Sequence, residues 1–242
     1  MAEAESEVWA LKTKYQLIVQ EQIKSPIAEA YRTLRTNLNF CKKDGELKTI
    51  MFTSAGPQEG KSLTTANTVV AMAQNGKKVC IVDCDLRKPV QYKIFDRRRH
   101  RGLTNILVDD DVSIDDFIQE TEINNLFLLA SGPIPPNPSE LLGSERMKNL
   151  INYLSGKFDY VVFDAPPAIA VTDACVLAAR VDGVVLVLDA DTVRPEMAQK
   201  AKELIIKTRG NLLGVVLNRV EIETEHSYYY YYYGQEKKTT GK

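Results

Sequence analysis

The residues with the most specific chemistry in this chain are Ala55-Gly56-Pro57-Gln58-Glu59-Gly60-Lys61-Ser62-Leu63, set between an apolar run and a stretch with helical periodicity. A loop of this composition turns successive backbone N–H groups inward, and the helix that follows presents its positive end to the same point, an arrangement suited to phosphate. The lysine is placed for the outer phosphates of a nucleoside triphosphate and the Ser62 hydroxyl for the Mg²⁺ that accompanies them. Gly56, Pro57, Gln58, Glu59, Gly60, Lys61, Ser62 and Leu63 are therefore the expected nucleotide-binding residues. The usual pattern opens on glycine. Ala55 stands there instead, so the backbone at 55 must tolerate a Cβ atom.

Two further segments bring acid to the same chemistry. Ile81-Val82-Asp83-Cys84-Asp85-Leu86-Arg87 ends an apolar run with two carboxylates, and Tyr160-Val161-Val162-Phe163-Asp164 ends another with one. If those runs are neighbouring parallel strands, their carboxyl ends share one rim with the phosphate loop. A cation held there would meet only oxygen ligands, as Mg²⁺ requires. A single strand-terminal aspartate can also merely cap the next turn, a reading that three on one rim make the weaker one. At the end of a last apolar run, Asn218 offers donor and acceptor to the edge of adenine and Arg219 a plane that stacks on a base. Spacing alone fits a polar loop start just as well.

These residues must be carried by an alternating framework. Apolar runs at Thr49 to Thr53, Lys78 to Val82, Leu126 to Ala130, Tyr160 to Phe163, Gly183 to Leu188 and Leu212 to Leu217 each read as strands buried on both faces. Helical patterns at Lys61 to Gln74, Ser144 to Leu154, Thr172 to Ala179 and Pro195 to Thr208 lie between them. The alternation predicts an α/β fold, a doubly wound, mostly parallel sheet. Ahead of it, Ser25-Pro26 supplies an N-cap and a first-turn proline. The helix they open has Ile27, Ala30, Tyr31, Leu34 and Leu38 as its apolar face, with Glu29, Arg32 and Arg35 elsewhere on the cylinder. Ser131 to Pro138, rich in proline, reads as a loop.

The expected organisation is an extension over 1–24, a P-loop domain over 25–220, and a flexible tail over 221–242 carrying four glutamates, three lysines and the run Tyr228 to Tyr233. At 242 residues, 44% apolar, the chain suffices for one α/β domain. A net charge of −1 gives no general attraction to nucleic acid, so no nucleic-acid partner is expected. No stretch is apolar enough to span a bilayer, and the four scattered cysteines fit a reduced, cytoplasmic protein. The run Arg97-Arg98-Arg99-His100-Arg101 could attract acidic tails or phosphotyrosine, but more ordinarily is a solvated loop.

Taken together, these motifs resemble the bacterial tyrosine kinases, P-loop kinases of capsule and exopolysaccharide export. The resemblance runs from about Lys24 to Lys242. It implies a Walker A loop at Ala55 to Ser62, a second acidic motif at Ile81 to Arg87 and a Walker B strand at Tyr160 to Asp164. By the same resemblance Asp83 is the base toward a tyrosine hydroxyl and Asp85 and Asp164, with Ser62, hold Mg²⁺ beside ATP. The tyrosines Tyr228, Tyr229, Tyr230, Tyr231, Tyr232 and Tyr233 are the self-phosphorylated acceptors, and Glu29, Arg32 and Arg35 hold a ring-shaped homo-oligomer together. The family further implies protein substrates, a cognate tyrosine phosphatase, and a separate membrane-anchored activator of polysaccharide export that recruits the protein to the inner face of the membrane.

Two other readings share the phosphate loop. Partitioning and division-site ATPases place a second lysine directly after the first loop residue, where this chain has Gly56, and commonly end in a membrane helix or a basic surface rather than tyrosines. A non-catalytic, nucleotide-dependent scaffold of the polysaccharide machinery would use the tyrosine run for docking. Labelled ATP separates that scaffold from a kinase.

Overall fold

A computed structural model describes residues 15–41 and 47–221. The tyrosine run, and most of the expected tail and extension, lie outside the described residues. Two helices come first, α1 (Ile18–Glu21) and α2 (Pro26–Phe40), followed by β1 (Thr49–Ser54), α3 (Lys61–Gln74) and β2 (Val79–Asp83). Next are α4 (Gln91–Ile94), α5 (Leu103–Val108), a 3₁₀ turn at Ile114–Phe117, β3 (Ile118–Glu120) and β4 (Leu126–Leu129). The chain continues through α6 (Pro138–Leu142), α7 (Glu145–Lys157), β5 (Tyr160–Asp164), α8 (Asp173–Ala178), β6 (Gly183–Asp189), α9 (Pro195–Lys207) and β7 (Leu212–Asn218).

The seven strands form one sheet in the order β3-β4-β2-β5-β1-β6-β7, parallel throughout except for the short edge strand β3, which runs against β4. Alternate side chains feed two cores. Met51, Cys80, Val82, Val161, Phe163 and Leu186 face one layer, made by α5 to α9, while Ile50, Phe52, Ile81, Val162 and Val187 face the other, made by α1 to α4. Phe52 and Phe163 are fully buried on opposite faces, each worth about 1.5–3 kcal/mol. The central strands β1, β2, β5 and β6 are buried along their whole length.

β7 departs from that expectation. It is the outer strand, and Val215 and Leu217 are 50% and 59% exposed, because no described element lies beyond it. In α2 the Ser25 hydroxyl accepts the Ala28 N–H, as the cap predicts, but the buried positions are Ala28 and Leu38, while Ile27 is 45% exposed. The helix packs across α3 with Tyr31, Leu34 and Leu38 against the core as expected and Ala28 in the place of Ile27. Pro138, expected in a loop, is the first residue of α6. The short elements α1, α4, α5, α6 and β3 carry too few turns to show a period in the sequence, and tertiary contacts hold them.

The basic run is tied down rather than free. Arg97 donates to the Glu120 carbonyl at 2.7 Å, and the Arg99 and Arg101 guanidinium groups lie 5.3 and 4.7 Å from the rings of Tyr92 and Phe117. No helix among the described residues is long and apolar enough to cross a membrane. All four cysteines are free, with Cys80, Cys84 and Cys175 buried.

Candidate active site

The parallel register brings the expected residues to one rim. Asp83 stands opposite Asp164 across β2 and β5, and β1, the neighbour of β5, runs directly into the phosphate loop. Gly60 caps α3 with φ +81°, and a Cβ there would fall 2.0 Å from Asn218 Nδ2, so glycine is required. Ala55 is 1% exposed, its methyl packed in the core, and it is not among the described residues with positive φ. The substitution of alanine for the usual glycine is thus accommodated. The first N–H groups of α3 point out of the helix end toward the loop, a ready anion site.

The Glu59 side chain is engaged within the loop itself. Its carboxylate folds back to accept the Gly56 N–H at 2.7 Å and the Ala55 N–H at 3.3 Å. Burial raises its pKa above the ordinary carboxylate range, and those two N–H bonds work against the rise. Its side chain shapes the loop from within.

Lys61 is the centre of the acidic rim. Its Nζ is bonded to Asp164 Oδ1, lies 3.1 Å from Ser62 Oγ and 3.9 Å from Asp85 Oδ2, and its side chain is only 7% exposed. Asp164 and Asp83 are wholly buried. Asp83 Oδ2 accepts the backbone N–H groups of Val90 and Gln91 at 3.1 and 3.0 Å, whereas its Oδ1 is buried without a partner. Burial, then the charge of Asp164, pushes the Asp83 carboxyl well above its usual range. Asp85 Oδ1 accepts the Lys88 N–H at 2.9 Å.

Ser62, Asp85 and Asp164 offer the all-oxygen donor set that Mg²⁺ prefers, and the partnerless Asp83 Oδ1 beside them is a further acceptor. Among the described residues no three His, Cys, Asp or Glu side chains form a metal cage of their own.

At the other end of the rim the two base-recognition candidates are already engaged. Asn218 Nδ2 donates to the Glu59 carbonyl at 3.0 Å, and Arg219 is paired with Asp189. Asn218 therefore braces the loop at Gly60, and Arg219, with its side chain 53% exposed, is held by Asp189 at the end of β6. Away from the rim, Arg32 pairs with Glu29 at 2.8 Å within α2 and reaches the Ile23 carbonyl at 2.6 Å. Arg35 is not on an open face, because its Nη1 donates to the Ala71 carbonyl of α3 at 3.2 Å.

Two groups escaped the reading of the sequence. Gln91, wholly buried, sends Nε2 to Asp164 Oδ2 at 2.7 Å and to the Ser62 carbonyl at 3.0 Å. Asp173, also buried, takes a two-pronged bond from Arg87 at 2.9 and 3.1 Å and another from Ser139. Neither lies in a recognisable motif, and only the fold brings them to the rim.

Residues 47–207 match a family model described as an AAA domain. The chain is 42% identical over 212 residues to a putative tyrosine-protein kinase, CapB, of Staphylococcus aureus, covering 88% of this chain and 92% of that one. It is 43% identical to the tyrosine-protein kinase YwqD of Bacillus subtilis, covering 88% and 89%. The crystal structure of the chimerical protein CapA2B2 superposes with a TM-score of 0.81 at 44% identity, covering 85% of this chain and 90% of that chain. Identity at this level across nearly whole chains, on a P-loop fold, places the protein in the family of bacterial tyrosine-protein kinases.

Proposed function

We propose that the protein transfers the γ-phosphoryl group of ATP to tyrosine, first of all to the tail tyrosines of a neighbouring copy. The observation that carries this reading is Asp83, a buried carboxylate with one partnerless oxygen, set against Asp164 and Lys61 at the end of the phosphate loop. An unperturbed tyrosine hydroxyl titrates near about 10 and needs a base as it attacks. Asp83 Oδ1 takes the phenol proton, the phenolic oxygen bonds to the γ-phosphorus, and the bridging bond to the β-phosphate breaks to release ADP. The transfer is loose, so the site has mainly to position groups and stabilise charge. Lys61 moves from Asp164 to the outer phosphates. Ser62, Asp85 and Asp164 would hold Mg²⁺, which neutralises phosphate charge.

The tail leaves the domain just beyond Asn218, on the phosphate rim, and Tyr228 follows ten residues later, a reach of at most roughly 35 Å. That length suits a neighbouring site. Each added phosphate brings about −1.5 to −2 charges, so a modified tail is repelled by the acidic rim and leaves it. Ring assembly through α2 rests on Glu29, which is exposed, and Arg32, while Arg35 supports it from behind by bracing α2 on α3. A membrane-anchored activator, protein substrates and a tyrosine phosphatase complete the system, which regulates capsular or exopolysaccharide synthesis and export from the cytoplasmic side.

Purified protein incubated with labelled ATP and Mg²⁺ tests the reading. Label on tyrosine is expected, and replacing Tyr228 to Tyr233 together by phenylalanine should remove most of it while activity on an added tyrosine polypeptide remains. Release of phosphate to water alone would make the protein a nucleotide switch instead.

A further inference from the structure

Gln91 opens the short helix α4 at the junction of the three segments that carry the reactive groups. One hydrogen-bond set links it to all of them: Nε2 to Asp164 Oδ2 on β5 at 2.7 Å, Nε2 to the Ser62 carbonyl on α3 at 3.0 Å, and its backbone N–H to Asp83 Oδ2 on β2 at 3.0 Å. Both neighbours of the amide nitrogen are acceptors, which fixes the carboxamide's orientation. Its Oε1 is buried without a partner. A residue kept only for packing would not be a carboxamide, since burying an unpaired polar atom costs about 1–3 kcal/mol and methionine fills a similar volume without that penalty.

We infer that Gln91 is a positioning residue for the cation side of phosphoryl transfer, holding the Asp164 carboxylate and the Ser62 backbone at a fixed separation. The inference rests on the kinase reading for what the site binds. The two oxygens of Asp164 are divided: Lys61 is on Oδ1 and Gln91 on Oδ2. When Lys61 turns to an incoming phosphate, Oδ1 is released to face the cation, and the amide on Oδ2 keeps the carboxylate from rotating. Because the same nitrogen is anchored on Ser62, the hydroxyl and the carboxylate stay in register. Partners that orient metal-binding side chains in this way typically govern metal affinity by about 10–100-fold.

The test uses the full chain with Gln91→Met, which keeps the length and removes the amide, and Gln91→Asn, which keeps the amide and withdraws it by one methylene. Equilibrium binding of a fluorescent ADP analogue is measured across Mg²⁺ concentration and in EDTA, alongside kcat and KM for tyrosine transfer. In both variants the Mg²⁺ needed for half-maximal nucleotide binding should rise at least ~10-fold, with binding in EDTA unchanged. The rate kcat should fall while KM for the tyrosine acceptor holds. Wild-type Mg²⁺ dependence in either folded variant overturns the inference, and so does failure of both variants to fold, which would make the amide a core residue. If the wild type labels no tyrosine yet the Mg²⁺ shift appears, the kinase reading fails and the role of Gln91 stands.

Discussion

The two ends of the nucleotide site are built from similar residue types in opposite surroundings. At the phosphate end, Lys61 and Asp164 form an ion pair whose side chains are 7% and 0% exposed, and Gln91 and Asp83 beside them are sealed from water. At the far end, Arg219 and Asp189 make a pair of the same charges, but the arginine is 53% exposed. Charges that cannot reach water must satisfy one another, so removing one member of a buried pair strands its partner. An exposed pair exchanges its partner for solvent at little cost. The phosphate end should therefore respond to substitution in both stability and chemistry, and the far end in neither by much.

Lys61→Met should break the molecule hardest. The lysine is expected to lose at least about 10³-fold in transfer, as when an oriented charge donor is removed from a transition state. The structure adds a second effect, because Asp164 is left buried without its cation, at about 3 kcal/mol. Urea unfolding of the nucleotide-free protein measures it. Adding Asp164→Asn should recover stability but no transfer, and a Lys61→Met protein as stable as wild type would deny that the pair matters before nucleotide binds.

Asp83→Asn separates chemistry from stability at the same end. Transfer should fall about 10²–10⁴-fold, the range for loss of a general base, while ADP binding changes little. Asparagine keeps an oxygen for the Val90 and Gln91 N–H groups, so folding should not suffer. Because burial and Asp164 raise the Asp83 pKa in the folded state, the folded protein holds that proton more tightly than the unfolded chain. The resulting stability is fully present below the unfolded value of about 3.9 and is lost as pH rises through the folded value. The stability of Asp83→Asn relative to wild type, in metal-free protein, should therefore grow with pH. A difference independent of pH would show Asp83 ionising normally.

Much of this contrast was readable in advance, and the remainder shows where reading stops. Lys61, Asp83 and Asp164 were found because strands that end in charge point to a rim, and the sheet order then made them neighbours. Gln91 was not found, since a single amide in a one-turn helix has neither period nor motif and gains meaning only from Asp164 and Ser62 folding against it. The sequence places Glu59 in the loop but does not reveal that its carboxylate satisfies the loop's own N–H groups. β7 read as a buried strand because apolar content does not reveal which strand is last in the sheet.

Asn218 lies between the two extremes and refines the comparison. Its Nδ2 bond to the Glu59 carbonyl and its contact with Gly60 link the far end to the phosphate loop. Asn218→Ala should remove one neutral hydrogen bond, about 1 kcal/mol, and weaken ADP binding by no more than roughly tenfold, read by titration. A loss as large as that of Lys61→Met would place Asn218 in direct contact with the nucleotide rather than behind the loop.

The smallest effect is expected at Arg219. The Asp189 carboxylate accepts the Asp191 N–H at 3.1 Å in addition to its bond with Arg219, so it keeps a partner when the guanidinium is removed. Burial works to raise the Asp189 pKa, but the Asp191 N–H, the Thr192 hydroxyl and Arg219 together outweigh it and hold the carboxyl below its ordinary range. A depressed carboxylate stabilises the fold above its unfolded value and loses that contribution as pH falls through the folded one. Arg219→Ala should thus leave ADP affinity within about threefold of wild type at neutral pH, the size expected of an exposed ion pair. It should make unfolding on acidification begin at slightly higher pH, since one of three supports of the ionised form is gone. Both are measured on one preparation, by ADP titration and by a fluorescence-monitored acid titration. If instead ADP affinity falls by about a hundredfold, the guanidinium contacts the nucleotide on binding, and the far end matters to recognition as much as the buried end matters to transfer.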